Sequence, residues 1–171
     1  MDYKIYRSAL TPQECSDYIA FGEAQYASVN PDQKYPIRGY PGFTLKNSQA
    51  IAAKLASFID PSGFGVVYDF GAGTGVNYLN LQTGEGVGQH FDKPLYELDE
   101  NYQIKPEYKN RACSVSVLAS IGGKNDFSVE GDNITLAVSD VLVIKGLTVH
   151  ELKPVQSGVS YLLSGFFCTN V

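Results

Sequence analysis

Tryptophan is absent from this 171-residue chain, methionine occurs once, and histidine occurs only twice. The three cysteines, Cys15, Cys113 and Cys168, are odd in number, widely spaced and without a CxxC pair. That spacing favours reduced thiols over a disulfide framework. No HExxH occurs, which removes the usual helical zinc-hydrolase signature. Positive charge is scarce: 13 basic residues against 18 acidic ones leave a net charge of −5. This balance argues against bulk binding to nucleic-acid backbones. Long apolar runs are also missing. The most apolar late segment, 134–149, is interrupted by Ser139-Asp140 and Lys145-Gly146, so no membrane span is expected. The first residues, Met1 to Arg7, carry no apolar core of the signal-peptide kind, and the expected location is the cytoplasm.

What remains describes a folded protein. An apolar content of 44% and a charged content of 18% suit one domain spanning 1–171. Two helices are expected in a leading layer, 1–60. Thr11, Pro12 and Glu14 form a capping-box start for the first, running to about Tyr26. Asn47 is the expected cap of the second, which buries Ile51, Leu55, Phe58 and Ile59 and stops at Pro61-Ser62-Gly63. Between them, 29–42 reads as loop. From residue 65 the apolar period changes to two, and short strands recur between glycine turns up to Cys168. The segment 93–110, with Tyr96, Tyr102 and Tyr108, has no clear period and reads as a functional lid or a disordered loop. The pattern predicts a mainly β (α+β) protein, a sandwich or barrel with N-terminal helices packed on one sheet.

Both histidines fall on expected strands of the β region. His90 and Asp92 stand two residues apart in Gln89-His90-Phe91-Asp92, a spacing that puts side chains on one face of a strand. His150 lies far downstream. Two histidines and one carboxylate, with positions left open, suit a non-haem Fe(II) centre. A zinc site uses the same residue types. Gly84, Gly86 and Gly88 precede the motif, as they would where backbone passes close to a neighbour.

Several segments together resemble the Fe(II)- and 2-oxoglutarate-dependent oxygenases, in particular the prolyl 4-hydroxylase-like branch. Gly84 to Asp92 is similar to that family's glycine-led approach to HxD. Arg111-Ala112-Cys113-Ser114 is similar to its arginine-led strand, and Gly122-Gly123-Lys124-Asn125-Asp126-Phe127 to its glycine turn. Most specific is Asp140–Ile144 followed by His150-Glu151-Leu152-Lys153-Pro154-Val155-Gln156-Ser157-Gly158-Val159-Ser160-Tyr161. The resemblance implies a double-stranded β-helix (jelly-roll) core over 65–171, and Fe(II) held by His90, Asp92 and His150. It also implies 2-oxoglutarate as cosubstrate, O2 as oxidant and ascorbate as an accessory cofactor. The reaction implied is hydroxylation of a C–H bond in a peptidyl proline or another small or peptide substrate.

One position departs from the family. Its basic residue for the distal carboxylate of 2-oxoglutarate falls where this chain has Ser160. Arg111, Lys124, Lys145 and Tyr78 are the candidate substitutes, with Arg111 ranked first. Leu81 stands where the family's tyrosine is expected, and Tyr78 lies three residues earlier. The competing reading is a catalytically silent jelly-roll that binds a metal or ligand.

Overall fold

The structure is a computed structural model that describes residues 1–28, 42–69, 76–92, 100–101 and 113–170. Arg111, nearly all of the expected lid at 93–110, and the expected loop at 29–42 except Gly42 lie outside these residues. The chain runs β1 (Tyr3–Tyr6), α1 (Pro12–Ser28), β2 (Gly42–Thr44), α2 (Gln49–Ala56), α3 (Ile59–Ser62) and β3 (Val66–Asp69). It continues through β4 (Asn77–Gln82), β5 (Val87–His90), β6 (Cys113–Gly122), β7 (Asn125–Val129) and β8 (Asp132–Leu136). It ends with β9 (Val141–Lys145), β10 (His150–Leu152) and β11 (Val159–Asn170).

Helix α1 starts as its sequence dictates. The Glu14 N–H donates to Thr11 Oγ1, and the Thr11 N–H donates back to the Glu14 carboxylate, both at 3.0 Å. Two otherwise orphaned donors are satisfied by this exchange. The second helical stretch differs from expectation. Asn47 sits at φ 54 outside the helix, and Ser48 takes the N-cap position of α2 without a side-chain cap bond. The helix stops at Ala56, and Pro61 lies inside the separate turn α3 instead of ending the helix. Proline is tolerated there because the first turn of a helix leaves its N–H groups unbonded anyway. Gly63, at φ 81, closes that turn in the left-handed conformation that glycine adopts freely.

Among the described residues, seven strands form one sheet, ordered β1-β9-β6-β11-β4-β2 with β3 also paired to β11. Four form a second sheet, ordered β5-β10-β7-β8. From β4 onward the chain alternates between the two sheets, with β7 and β8 the one consecutive pair in the same sheet. The pairings within each sheet are antiparallel. This winding is the double-stranded β-helix, or jelly-roll, with helices packed on the outer face of the larger sheet.

Strand alternation divides the core into two layers. On β6, Val115, Val117, Ala119 and Ile121 turn toward the helices and join Cys15, Ile51, Leu55 and Ile59. Leu118 turns the other way, into the space between the sheets, with Leu79, Phe127, Val129, Leu152 and Leu162. A fully buried leucine such as Leu55 contributes about 1.5–3 kcal/mol. Cys15 and Cys168 are buried in this packing. Among the described residues no helix is long and apolar enough to cross a membrane.

Candidate metal centre

The register of β5 against β10 sets His150 directly opposite His90. Their rings face the same side, with centroids 4.3 Å apart. Gly86 makes the approach possible. A Cβ at that position would lie 2.5 Å from the Leu152 carbonyl oxygen, which no larger residue could accommodate. The expectation that His90 and Asp92 share one strand face is corrected, because β5 ends at His90 and Asp92 lies beyond it. The carboxylate still arrives at the same point. Asp92 Oδ1 is 3.6 Å from His90 Nε2, and Asp92 Oδ2 is 3.4 Å from His150 Nε2. One ligand atom from each of His90, Asp92 and His150 lies within 4.8 Å of the others.

The hydrogen bonds behind these groups decide which atoms face inward. His90 Nδ1 is 2.7 Å from the Gly88 carbonyl, and His150 Nδ1 is 2.9 Å from the Thr148 carbonyl. A carbonyl only accepts, so each Nδ1 carries a proton, and in the neutral ring Nε2 presents a lone pair. Burial pushes the His150 pKa below its ordinary value, against the Thr148 carbonyl and the Asp92 charge and with the help of His90. Its neutral form is therefore favoured. Asp92 is held from behind by the Ser116 hydroxyl, which donates to Oδ2 at 2.5 Å.

These observations test whether a metal suits the residues present. Histidine-to-carboxylate distances of 3.4 and 3.6 Å exceed the 2.7–3.2 Å of an N–H···O bond. Two lone pairs and a carboxylate surround a common space and are not bonded to one another. Carbonyls locking the far nitrogens of both histidines, and a hydroxyl locking the carboxylate, are the usual outer support of a ligand set. The donor set fits a divalent first-row metal ion. From this point a small cavity of about 40 Å³ opens between the sheets, lined by Leu79, Leu118, Phe127, Leu152, Leu162, Ser164 and Phe166 among others.

The remaining expected site residues are placed differently. Ser160 is buried on the same face of β11 as Leu162 and Ser164, and its hydroxyl donates to the Lys124 carbonyl at 2.8 Å. Tyr78 is turned away from the cluster. It is fully buried on the helix side of the large sheet, 5.8 Å from the Phe43 ring and 6.2 Å from the Tyr161 ring. Burial, then the Glu23 carboxylate, pushes its phenol pKa well up. The physical reason is alternation: the neighbours Leu79 and Leu81 take the inter-sheet side. Lys124 is exposed and paired with Asp126 at 3.2 Å, and Lys145 is exposed. Ser116 was not among the expected site residues. Its trace in the sequence is a serine recurring at the inward positions of an otherwise apolar strand.

No family model matches the sequence, and no curated protein matches it in sequence. Solved structures do match in three dimensions. The viral collagen prolyl hydroxylase of Paramecium bursaria Chlorella virus-1, in complex with 2-oxoglutarate, superimposes with a TM-score of 0.66 at 11% identity, covering 100% of this chain and 97% of that one. A prolyl-4-hydroxylase from Pseudomonas putida gives 0.62 at 13% identity, over 99% and 94% of the two chains. HygX from Streptomyces hygroscopicus, with nickel and 2-oxoglutarate bound, gives 0.64 at 11% identity, over 98% and 83%. The chain shares the fold of these 2-oxoglutarate-dependent oxygenases.

Proposed function

We propose that the protein is a non-haem Fe(II) dioxygenase that uses a 2-oxo acid to hydroxylate a C–H bond of a peptide or small-molecule substrate. The observation that carries this reading is the convergence of His90 Nε2, His150 Nε2 and the Asp92 carboxylate at one end of an apolar cavity. Two of the similar structures hold 2-oxoglutarate, which makes it the first 2-oxo acid to test. Two are prolyl hydroxylases by name, which makes a prolyl peptide the first substrate class.

His90, Asp92 and His150 would hold the metal, which when bound supplies the activation of O2. The chain's own residues do the rest by position. The Gly88 and Thr148 carbonyls keep both imidazoles in the tautomer that presents Nε2. Asp92 contributes one negative charge, and Ser116 fixes its orientation. Phe127, Leu152 and Leu162 form an apolar wall of the cavity. In the overall reaction one oxygen atom enters the substrate as hydroxyl. The other enters the carboxylate formed as the 2-oxo acid loses CO2.

The test is to load the protein with Fe(II) under anaerobic conditions, add 2-oxoglutarate, ascorbate and a prolyl peptide, and admit O2. Succinate that forms with wild type and not with His90→Ala supports the proposal. Tight metal binding with no turnover of any 2-oxo acid would refute it and leave a metal-binding jelly-roll.

A further inference from the structure

Three strands carry a polar side chain one step beyond the cavity wall. Leu118, Phe127 and Leu162 line the cavity. Two residues further along the same strand faces, away from the metal donors, stand Ser120, Asn125 and Ser160, each step spanning roughly 6.5–7 Å. All three are buried, at 0%, 1% and 2% exposure. They form one cluster: Asn125 Nδ2 donates to Ser120 Oγ at 2.9 Å, and Ser160 Oγ donates to the carbonyl of Lys124, the residue before Asn125. Gly123 closes the cluster, since a Cβ there would lie 2.9 Å from Ser160 Oγ.

The cluster is incomplete in one respect. Asn125 Oδ1 is buried without a hydrogen-bond partner. A buried acceptor in that state calls for a donor. The neighbouring Lys124 does not supply a charge to the cluster, because it is exposed and paired with Asp126. A carboxylate brought here would meet the unpaired Asn125 oxygen, with Ser160 already donating to the Lys124 carbonyl, and with the Ser120 hydroxyl as the one neutral donor of the cluster. Burying an ionised group without a partner is costly. A carboxamide or hydroxyl suits the same place, since it can donate to Asn125 Oδ1 and accept from the Ser120 hydroxyl.

We propose that this buried polar cluster, one strand step beyond the cavity wall and remote from the metal donors, takes a neutral hydrogen-bonding tail. The 2-oxo acid used would then carry an amide or hydroxyl where 2-oxoglutarate carries its second carboxylate. This rests on the proposed 2-oxo-acid chemistry and specifies which member of the class is bound.

The test uses two oxalyl compounds that keep the 2-oxo-acid head and differ only in the tail. N-Oxalylglycine ends in a carboxylate and N-oxalylglycinamide in a carboxamide. Both are titrated by calorimetry into the full chain loaded with Zn(II), with metal affinity measured first. The amide is expected to bind at least tenfold more tightly. Asn125→Leu should remove that preference with metal affinity unchanged, and Ser160→Lys should reverse it in favour of the carboxylate. Equal or tighter binding of N-oxalylglycine by wild type overturns the inference while the 2-oxo-acid reading stands. Binding of neither compound by the metal-loaded protein overturns that reading itself, and the inference with it.

Discussion

Replacing Ser116 with alanine removes the hydroxyl that donates to Asp92 Oδ2 at 2.5 Å, and nothing else of size. Ser116 is 2% exposed, so water cannot readily take its place. A hydrogen bond to a charged group is worth about 1.5–3 kcal/mol. At 1.4 kcal/mol per factor of ten, that corresponds to roughly a 10- to 100-fold change in affinity. The same range is typical when an outer support of a metal ligand is lost. Ser116→Ala should therefore bind Co(II) or Fe(II) about 10- to 100-fold more weakly in a competition titration with a chromophoric chelator. Ser164→Ala is the control, because Ser164 is equally buried and lines the same cavity. It should retain wild-type metal affinity. A Ser116→Ala affinity within twofold of wild type would refute the idea that this hydroxyl holds the carboxylate in its binding orientation.

Three further outcomes are expected. His150→Ala and His90→Ala each remove a donor outright and should weaken metal binding by more than the roughly 100-fold that marks loss of an outer support, read by the same titration. Asp140 is buried. Burial raises its pKa, but the Ser8 N–H, the Arg7 guanidinium and the Ala137 N–H outweigh that and hold it below the ordinary carboxylate value. A depressed folded pKa gives stability that is present above the unfolded value of about 3.9 and lost as pH falls through the folded value. Urea midpoints of wild type should thus fall more steeply below about pH 4 than those of Asp140→Asn; parallel curves would refute this. Gly22→Ala places a methyl 2.3 Å from the Tyr78 ring, and such overpacking costs about 1–3 kcal/mol against a helix-propensity gain of up to about 1 kcal/mol. At about 2–4 °C per kcal/mol for a chain of this size, thermal melting should show a lower Tm, and an unchanged or raised one would refute the packing.

The parts of the molecule legible in the sequence are those written in local patterns. Thr11 and Glu14 signal the start of α1 because the capping box needs only four residues. The period-two runs signal strands, and the two histidines and Asp92 stand out because histidine is so rare. Features that depend on register were not legible. Whether Tyr78 or Leu79 faces the inter-sheet space is decided by pairing between strands far apart in sequence, and a one-residue shift exchanges the faces. For the same reason Asn125 gives no sign of its position, and the serine recurrence along β6 does not single out Ser116. Pro61 misleads because its usual role as a helix stop does not apply in a first turn. Spacing alone points to a strand for Asp92, while its side chain reaches the cluster from the connection that follows β5.

The position of β5 has a mechanical consequence. It is a four-residue strand at the edge of its sheet, paired to β10 alone among the described residues. Edge strands of this length exchange their amide hydrogens through small local openings. His90 is its last residue, Asp92 lies on the chain leaving it, and His150 belongs to the inner neighbour. An ion held by all three would rivet the border of the small sheet to its interior. Amide exchange along 87–92 should then slow on metal addition far more than exchange in β8 at the opposite border, so the metal that serves the chemistry would also complete the wall of the barrel.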